Sequence, residues 1–449
     1  MTDTLLDIAT ALVEGAIKAG ASDCDVVAVN GVSSSLEARN GKLESTERSE
    51  GISVGLRVFV GQSPNMSQAM VTASRFTEQD KKDLVERVVA MAKIAPQDPF
   101  AGLASPDQLA TDFPDLNICD DAFPSTQELL DTAIAVEAAG LGVKGVEQSG
   151  GGSASARRNE IVLVASNGFS GQYARTGYSV STSMVAGQGT NMARDYDYSS
   201  AVHLADLQDA ATIGKSAGNR AVARLNPQKV ESQKCPVVFD WRVAGSLIGH
   251  LSSAVNGSSI SRGTSFLKDL MGEGVFANGI NIVDDARMLK GLASKPFDGE
   301  GIATQARHVI KDGKLASWML DCRSARQLGL QSTGHASRGT SSPPSPSASN
   351  LYLQAGSQSR DELIGGIKQG LLVTELIGMG VNGITGDYSR GASGFWIENG
   401  EIAYPVSEIT IASNLRDMFA SLVPANDLHF HGATNAPSCR IEEMTLAGK

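Results

Sequence analysis

Ile52-Ser53-Val54-Gly55-Leu56-Arg57-Val58-Phe59-Val60 decides how this chain is read. Apolar side chains stand at 52, 54, 56, 58 and 60. A strict period of two marks a β-strand with one face in a core. Upstream, Leu5, Leu6, Ile8, Ala9, Leu12, Val13 and Ile17 recur at helical spacing until Gly20, so a helix comes first. Residues 25–30 and 34–39 read as two strands before the quoted run, and 69–73 as one after it. Thr77, with Asp80 three residues on, then opens a second helix carrying Leu84, Val85, Val88 and Val89.

The same order returns further along. Residues 95–124, rich in Pro and Asp, read as a linker. Ser125 and Glu128 form a capping box ahead of a helix over 129–139. Strands are expected at 145–156, 160–165 and 177–187, and a closing helix over 206–225 stops at Asn226-Pro227. Helix, strands, helix thus occurs twice, which predicts a duplicated α+β unit at 1–94 and 125–227. From 228 the texture changes to short apolar runs split by Gly and Asp. Hairpin signals stand at Lys311-Asp312-Gly313-Lys314 and Glu398-Asn399-Gly400-Glu401. They predict a β-rich C-terminal domain over 228–449, a twisted sheet or sandwich, and an α+β fold class for the whole chain. Within it, 363–377 reads as a helix and the Ser- and Pro-rich 337–349 as an exposed loop.

The net charge of −11 and the lack of a basic run argue against a nucleic-acid-binding face. No apolar stretch approaches the ~18 residues of a membrane span. Met1-Thr2-Asp3-Thr4 lacks the basic start of a signal peptide, so the cytoplasm is the expected compartment. Cys24, Cys119, Cys235, Cys322 and Cys439 are odd in number and form no C-x-x-C pair, which predicts reduced, mostly buried thiols.

Few motifs carry chemistry. Gly378-Met379-Gly380-Val381-Asn382-Gly383 matches G-x-G-x-x-G, but a dinucleotide site needs a strand before it and a helix after it, and the expected order here is the reverse. Asp298 and Glu300 flank Gly299 and read as a β-turn whose Asp bonds its own backbone; the alternative is an acid–base pair. No His-Glu dipeptide occurs, so the two-histidine helix of a zincin is absent, and His250 stands alone on a helix expected over 241–251. His429 and His431 would share a face if they lie on a strand, and with Cys439 or a carboxylate they form an alternative metal site.

Several segments together resemble the TldD/PmbA family, in its PmbA (TldE) branch. The most specific runs from Thr374-Glu375-Leu376-Ile377 through Thr385-Gly386-Asp387-Tyr388-Ser389-Arg390 to Gly394-Phe395-Trp396. Pro296–Gly301, Ser324–Gly329, Ser332-Thr333-Gly334 and the tail from Ala436 to Gly448 fit as well. The resemblance implies two N-terminal α+β regions and a β-rich C-terminal domain. It also implies a subunit that pairs with a TldD-type zinc peptidase, whose H-E-x-x-x-H helix holds the metal, in a complex that trims leader peptides and degrades unfolded peptides or antitoxins. A homodimer of the isolated chain is compatible with it. Placed on the TldD motif, Gly245 stands at the first His, Ser246 at the Glu, and only His250 remains. The resemblance therefore implies no catalytic residue and no zinc in this chain, with zinc expected in the partner. Two rival readings are a non-proteolytic interaction protein, as in the older label of DNA gyrase modulator, and a stand-alone metallopeptidase using His429 and His431.

Overall fold

The computed structural model describes residues 4–449, so the reading of residues 1–3 lies outside the described residues. The first unit runs α1 (Leu5–Lys18), β1 (Asp23–Arg39), β2 (Lys42–Gln62), β3 (Asn65–Ala73) and α2 (Glu78–Ile94), followed by the short β4 (Gln97–Asp98). The second runs α3 (Thr126–Leu141), β5 (Val146–Ala165), β6 (Ser170–Ala186), β7 (Ala193–Ala201) and α4 (Ala210–Ala223). Helices α1, α2 and α3 each start at a capping box, formed by Thr4 with Asp7, Thr77 with Asp80 and Ser125 with Glu128.

The two units share one seven-stranded sheet in the order β4-β3-β2-β1-β5-β6-β7, joined by antiparallel pairing of β1 with β5. The expected strands 25–30 and 34–39 are one strand, and so are 145–156 and 160–165. Backbone pairing continues through Gly31↔Asn159 and Ser33↔Arg157, where the apolar pattern lapses. The four helices cover one face of the sheet. Val26 and Ala28 of β1 pack with α1 and α2, and Leu36 and Ala38 pack with α3. The odd-numbered Val27 points the other way, into a cluster with Phe169 of the β5–β6 turn and Phe297 of the C-terminal domain.

In the C-terminal domain β8 (Gln233–Phe239) lies parallel to the strand Gln369–Ile377. That strand leads by antiparallel pairing to Asp387–Glu398 and then Glu401–Asn414. The last strand, Cys439–Ala447, pairs with both β8 and Glu401–Asn414, so the sheet closes into a barrel. Helix α5 (Trp241–Ala254) buries Leu247, Ile248 and Leu251 in the core that the barrel shares with Phe239, Leu371 and Trp396. A smaller five-stranded sheet that includes Ile282–Asp285 and Ala306–Lys311 lies beside it.

Three expectations need correction. Residues 363–377 are not a helix: a helix over Arg360–Gly365 ends at the Gly365-Gly366 pair, and a strand follows in which Leu371 and Val373 face the main core and Leu372 the opposite side. Residues 337–349 are not simply an exposed loop. Arg338 inserts a side chain only 1% exposed, Pro346 and Ser349 are buried, and Thr340 accepts a hydrogen bond from Thr72 Oγ1 at 2.8 Å. Gly55 of the opening stretch permits this approach, since a Cβ there would meet the Thr340 carbonyl oxygen at 2.2 Å. Residues 429–431 lie in an irregular segment rather than on a strand, so the argument that two histidines share a strand face does not hold.

Candidate functional site

Helix α5 places the residues of the degenerate motif. Asp240 caps it, accepting from the Arg242 N–H at 3.1 Å. Gly245 faces the segment that carries Thr434, whose carbonyl oxygen would lie 3.2 Å from a Cβ at 245. Ser246 donates to the Val243 carbonyl at 2.6 Å, a bond within its own helix. His250 sits edge-on to Tyr388, ring centroids 5.9 Å apart, and its Nε2 is buried without a hydrogen-bond partner. Burial first, then the nearby Arg390 charge, lower the His250 pKa, so its imidazole is neutral at neutral pH. Tyr388 is buried as well, and burial pushes its phenol up to about 12. Arg390 is close enough to oppose that shift, although no hydrogen bond of normal geometry joins it to the hydroxyl.

The other candidates lie apart from His250. His429 and His431 have ring centroids 5.7 Å apart, and His431 stacks at 4.3 Å on Trp241, the first residue of α5. Nine residues of helix, about 13 Å of rise, separate Trp241 from His250. The Cys439 thiol is buried and donates to the Pro437 carbonyl at 3.1 Å. Among the described residues, no three His, Cys, Asp or Glu side chains converge where a metal ion could bind. Zinc needs three or four such ligands, and α5 offers one imidazole with an arginine beside it. The donor set of this helix does not fit zinc.

The Asp298–Glu300 turn is a backbone lock. Asp298 Oδ1 accepts from the N–H groups of Glu300 and Ile302, both at 2.9 Å, and Oδ2 from Ala336 at 3.0 Å. Glu300 accepts from the Cys322 N–H at 2.7 Å, and burial, then the Asp298 charge, push its pKa up to about 7. Sequence reasoning missed the charged seam beside this turn. Asp25 of β1 binds Arg57 of β2 and, at 2.6 Å, Arg338 of the C-terminal domain. The two arginines hold the Asp25 carboxyl below the usual carboxylate range despite its burial. The non-apolar residues alternating at 53, 55 and 57 were the available signal: Ser53 bonds Thr340, Gly55 lets the Thr340 carbonyl approach, and Arg57 shares Asp25 with Arg338. A cleft of about 350 Å³ also opens between the second unit and the barrel, lined by Arg220, Trp241, Arg242, Arg360 and Phe395.

The G-x-G-x-x-G run follows a strand, contrary to expectation, but leads into a turn and a second strand. Asn382 Oδ1 accepts from the Ile384 N–H at 3.0 Å, and no helix N-terminus is present to receive a pyrophosphate. No helix among the described residues is long and apolar enough to cross a membrane.

Comparison with known proteins agrees with this architecture. Residues 24–92, 120–225 and 232–448 match, in order, domain 1, the central domain and the C-terminal domain of the PmbA/TldA metallopeptidases. The metalloprotease PmbA of Escherichia coli O157:H7 is 36% identical over 436 residues, covering 96% of this chain and 94% of that one. A PmbA homologue of Haemophilus influenzae is 35% identical over 443 residues, covering 97% and 94%. A Bacteroides thetaiotaomicron protein named for modulation of DNA gyrase superposes with a TM-score of 0.90 at 26% identity, over 98% of both chains. TldE of Thermococcus kodakarensis shares the fold, with a TM-score of 0.86 at 19% identity over 98% of this chain and 100% of that one. The chain belongs to the PmbA/TldD metallopeptidase family.

Proposed function

We propose that this chain is the zinc-free, non-catalytic subunit of a two-subunit metallopeptidase. Its partner is a TldD-type subunit that supplies the zinc and the general base, and the complex acts in the cytoplasm on unfolded or leader peptides. The observation that carries this reading is α5. It holds Gly245 and Ser246 where a zinc helix needs a ligand and a base, and its one histidine is packed against Tyr388. With no base to activate water and one imidazole to hold a metal, hydrolysis has to be completed by another chain. The relatives named as metalloproteases support a peptidase setting for the chain. This subunit's contribution is then to shape the path of the substrate.

The test is cleavage of an unfolded peptide by this chain, by a TldD-type subunit, and by the two co-expressed. The reading expects EDTA-sensitive cleavage from the co-expressed pair and none from this chain. EDTA-sensitive cleavage by the chain alone would sink it. A second reading, an interaction protein acting on gyrase, draws on the name of the Bacteroides structural relative. Recovery of gyrase without a TldD-type protein in a pull-down would favour that reading.

A further inference from the structure

The face of the central sheet opposite the helices divides in two along β1. Val27 lies under the C-terminal domain's side, packed with Phe169 and Phe297. Farther along the same face come Ser33, Ser35 and Glu37, and here the covering stops: Ser33 and Glu37 are exposed and Ser35 is half-buried. The register carries this change across the sheet. Ser35 lies opposite Ser155, Ser155 opposite Ser179, and Ser179 opposite Ser200, so four strands contribute one continuous row of serines. The next row runs Ser45, Glu37, Ser153, Ser181, Tyr198.

A solvated sheet face is ordinary, but a serine face is not what strand formation favours: β-branched and aromatic side chains fit strands better. Short hydroxyl side chains leave room above the sheet, and each offers a donor and an acceptor with no preference for the group it meets. Such a floor suits the amide groups of an extended chain. Charge gives the floor a direction. A cavity of about 260 Å³ at its edge is lined by Glu37, Glu44, Ser153, Ser181 and Tyr196, beside the β5 bulge at Gly150–Gly152. Glu37 accepts only from the Ser45 hydroxyl among the described residues, and Glu44 shares its charge with the half-exposed Arg39 at 3.3 Å.

We propose that this serine floor is a docking surface for an extended segment of unfolded polypeptide, with a lysine or arginine side chain seated between Glu37 and Glu44. It deepens the peptidase-subunit reading by locating where this chain meets substrate. A cation there meets the Glu37 carboxylate and, together with Arg39, balances the two carboxylates of the cavity, which a neutral or acidic side chain does not.

The test uses the full chain, alone and co-expressed with a TldD-type subunit. The probes are two labelled unstructured peptides that differ only in a central Lys or Glu, read by fluorescence anisotropy. The Lys peptide is expected to bind at least about tenfold more tightly. Ser155→Tyr with Ser179→Tyr, which fills the floor, should weaken both peptides about tenfold or more. Glu37→Gln with Glu44→Gln should erase the Lys preference, weakening the Lys peptide and, with the repulsion gone, tightening the Glu peptide. Circular dichroism on each variant checks that the fold is kept. Failure of the wild-type chain to bind either peptide in both forms, or wild-type binding by the filled floor, overturns the proposal. Partner-dependent cleavage that all variants retain at full rate refutes this site and leaves the peptidase reading standing. Floor-dependent binding without any cleavage does the reverse.

Discussion

Asp25→Asn removes one negative charge from the seam between the first unit and the C-terminal domain and leaves the side chain's shape intact. The Asp25 side chain is 2% exposed. It accepts from Arg57 Nε at 3.2 Å on both oxygens and from Arg338 Nη1 at 2.6 Å. Both guanidinium groups are themselves buried, with side chains 6% and 1% exposed. Asparagine can still accept a hydrogen bond, but the two cations lose the carboxylate they share. Breaking a buried ion pair by removing one partner costs about 3–5 kcal/mol, far above the ~0–1 kcal/mol of an exposed pair. The acid limb gives a second signature. The arginines lower the Asp25 pKa, so its contribution is present above the unfolded value of 3.8 and is lost as pH falls through the folded value. Urea unfolding at pH 7 should show the loss, and the difference between variant and wild type should shrink toward pH 3. A loss under about 1 kcal/mol at pH 7, or a difference that does not change with pH, refutes the reasoning.

Glu300→Gln should behave oppositely. The Glu300 pKa rises from 4.5 to about 7, so its contribution is full below 4.5 and is lost as pH climbs to about 7. The variant should remove up to about 3 kcal/mol of destabilisation over that window, visible as a flatter pH profile of the melting temperature. Gly55→Ala puts a Cβ 2.2 Å from the Thr340 carbonyl oxygen and 2.6 Å from Met70 Cε. It should cost about 1–3 kcal/mol and speed hydrogen exchange at residues 338–342 more than in α3 or α4. Trp241→Leu removes the 4.3 Å stack on His431. Burial first, then the His429 charge, lower the His431 pKa, so the variant should raise that pKa toward 6.5, measured by NMR titration of the ring protons.

Much of the fold was legible in the sequence, for a physical reason. The period of two at 52–60 and the capping boxes at Thr77 and Ser125 are local signals, and local structure follows them. The repeated unit was legible in its element order, but the merging of both units into one sheet was not, because β1 pairs with β5 across more than a hundred residues of chain. Arg338 could not be placed from its Ser- and Pro-rich surroundings, since its partners Asp25 and Arg57 are distant in sequence. The 369–377 strand was mistaken for a helix because Leu363, Ile364 and Ile367 extend an apolar run across the glycine pair that ends the helix. Of the candidate residues, the Asp298 turn was read correctly, since its bonds are mostly to its own backbone. His250 was placed on the right helix, but its packing against Tyr388 depends on barrel closure.

The central claim is that this member of a metallopeptidase family holds no zinc of its own. The most direct measurement is zinc per chain, by elemental analysis after exhaustive dialysis, on this chain purified alone and on the same chain co-purified with a TldD-type subunit. The account predicts zinc in the pair at the stoichiometry of the TldD-type subunit and essentially none in the isolated chain. One zinc per isolated chain, lost on His429→Ala with His431→Ala, would contradict it and make this chain a metallopeptidase in its own right.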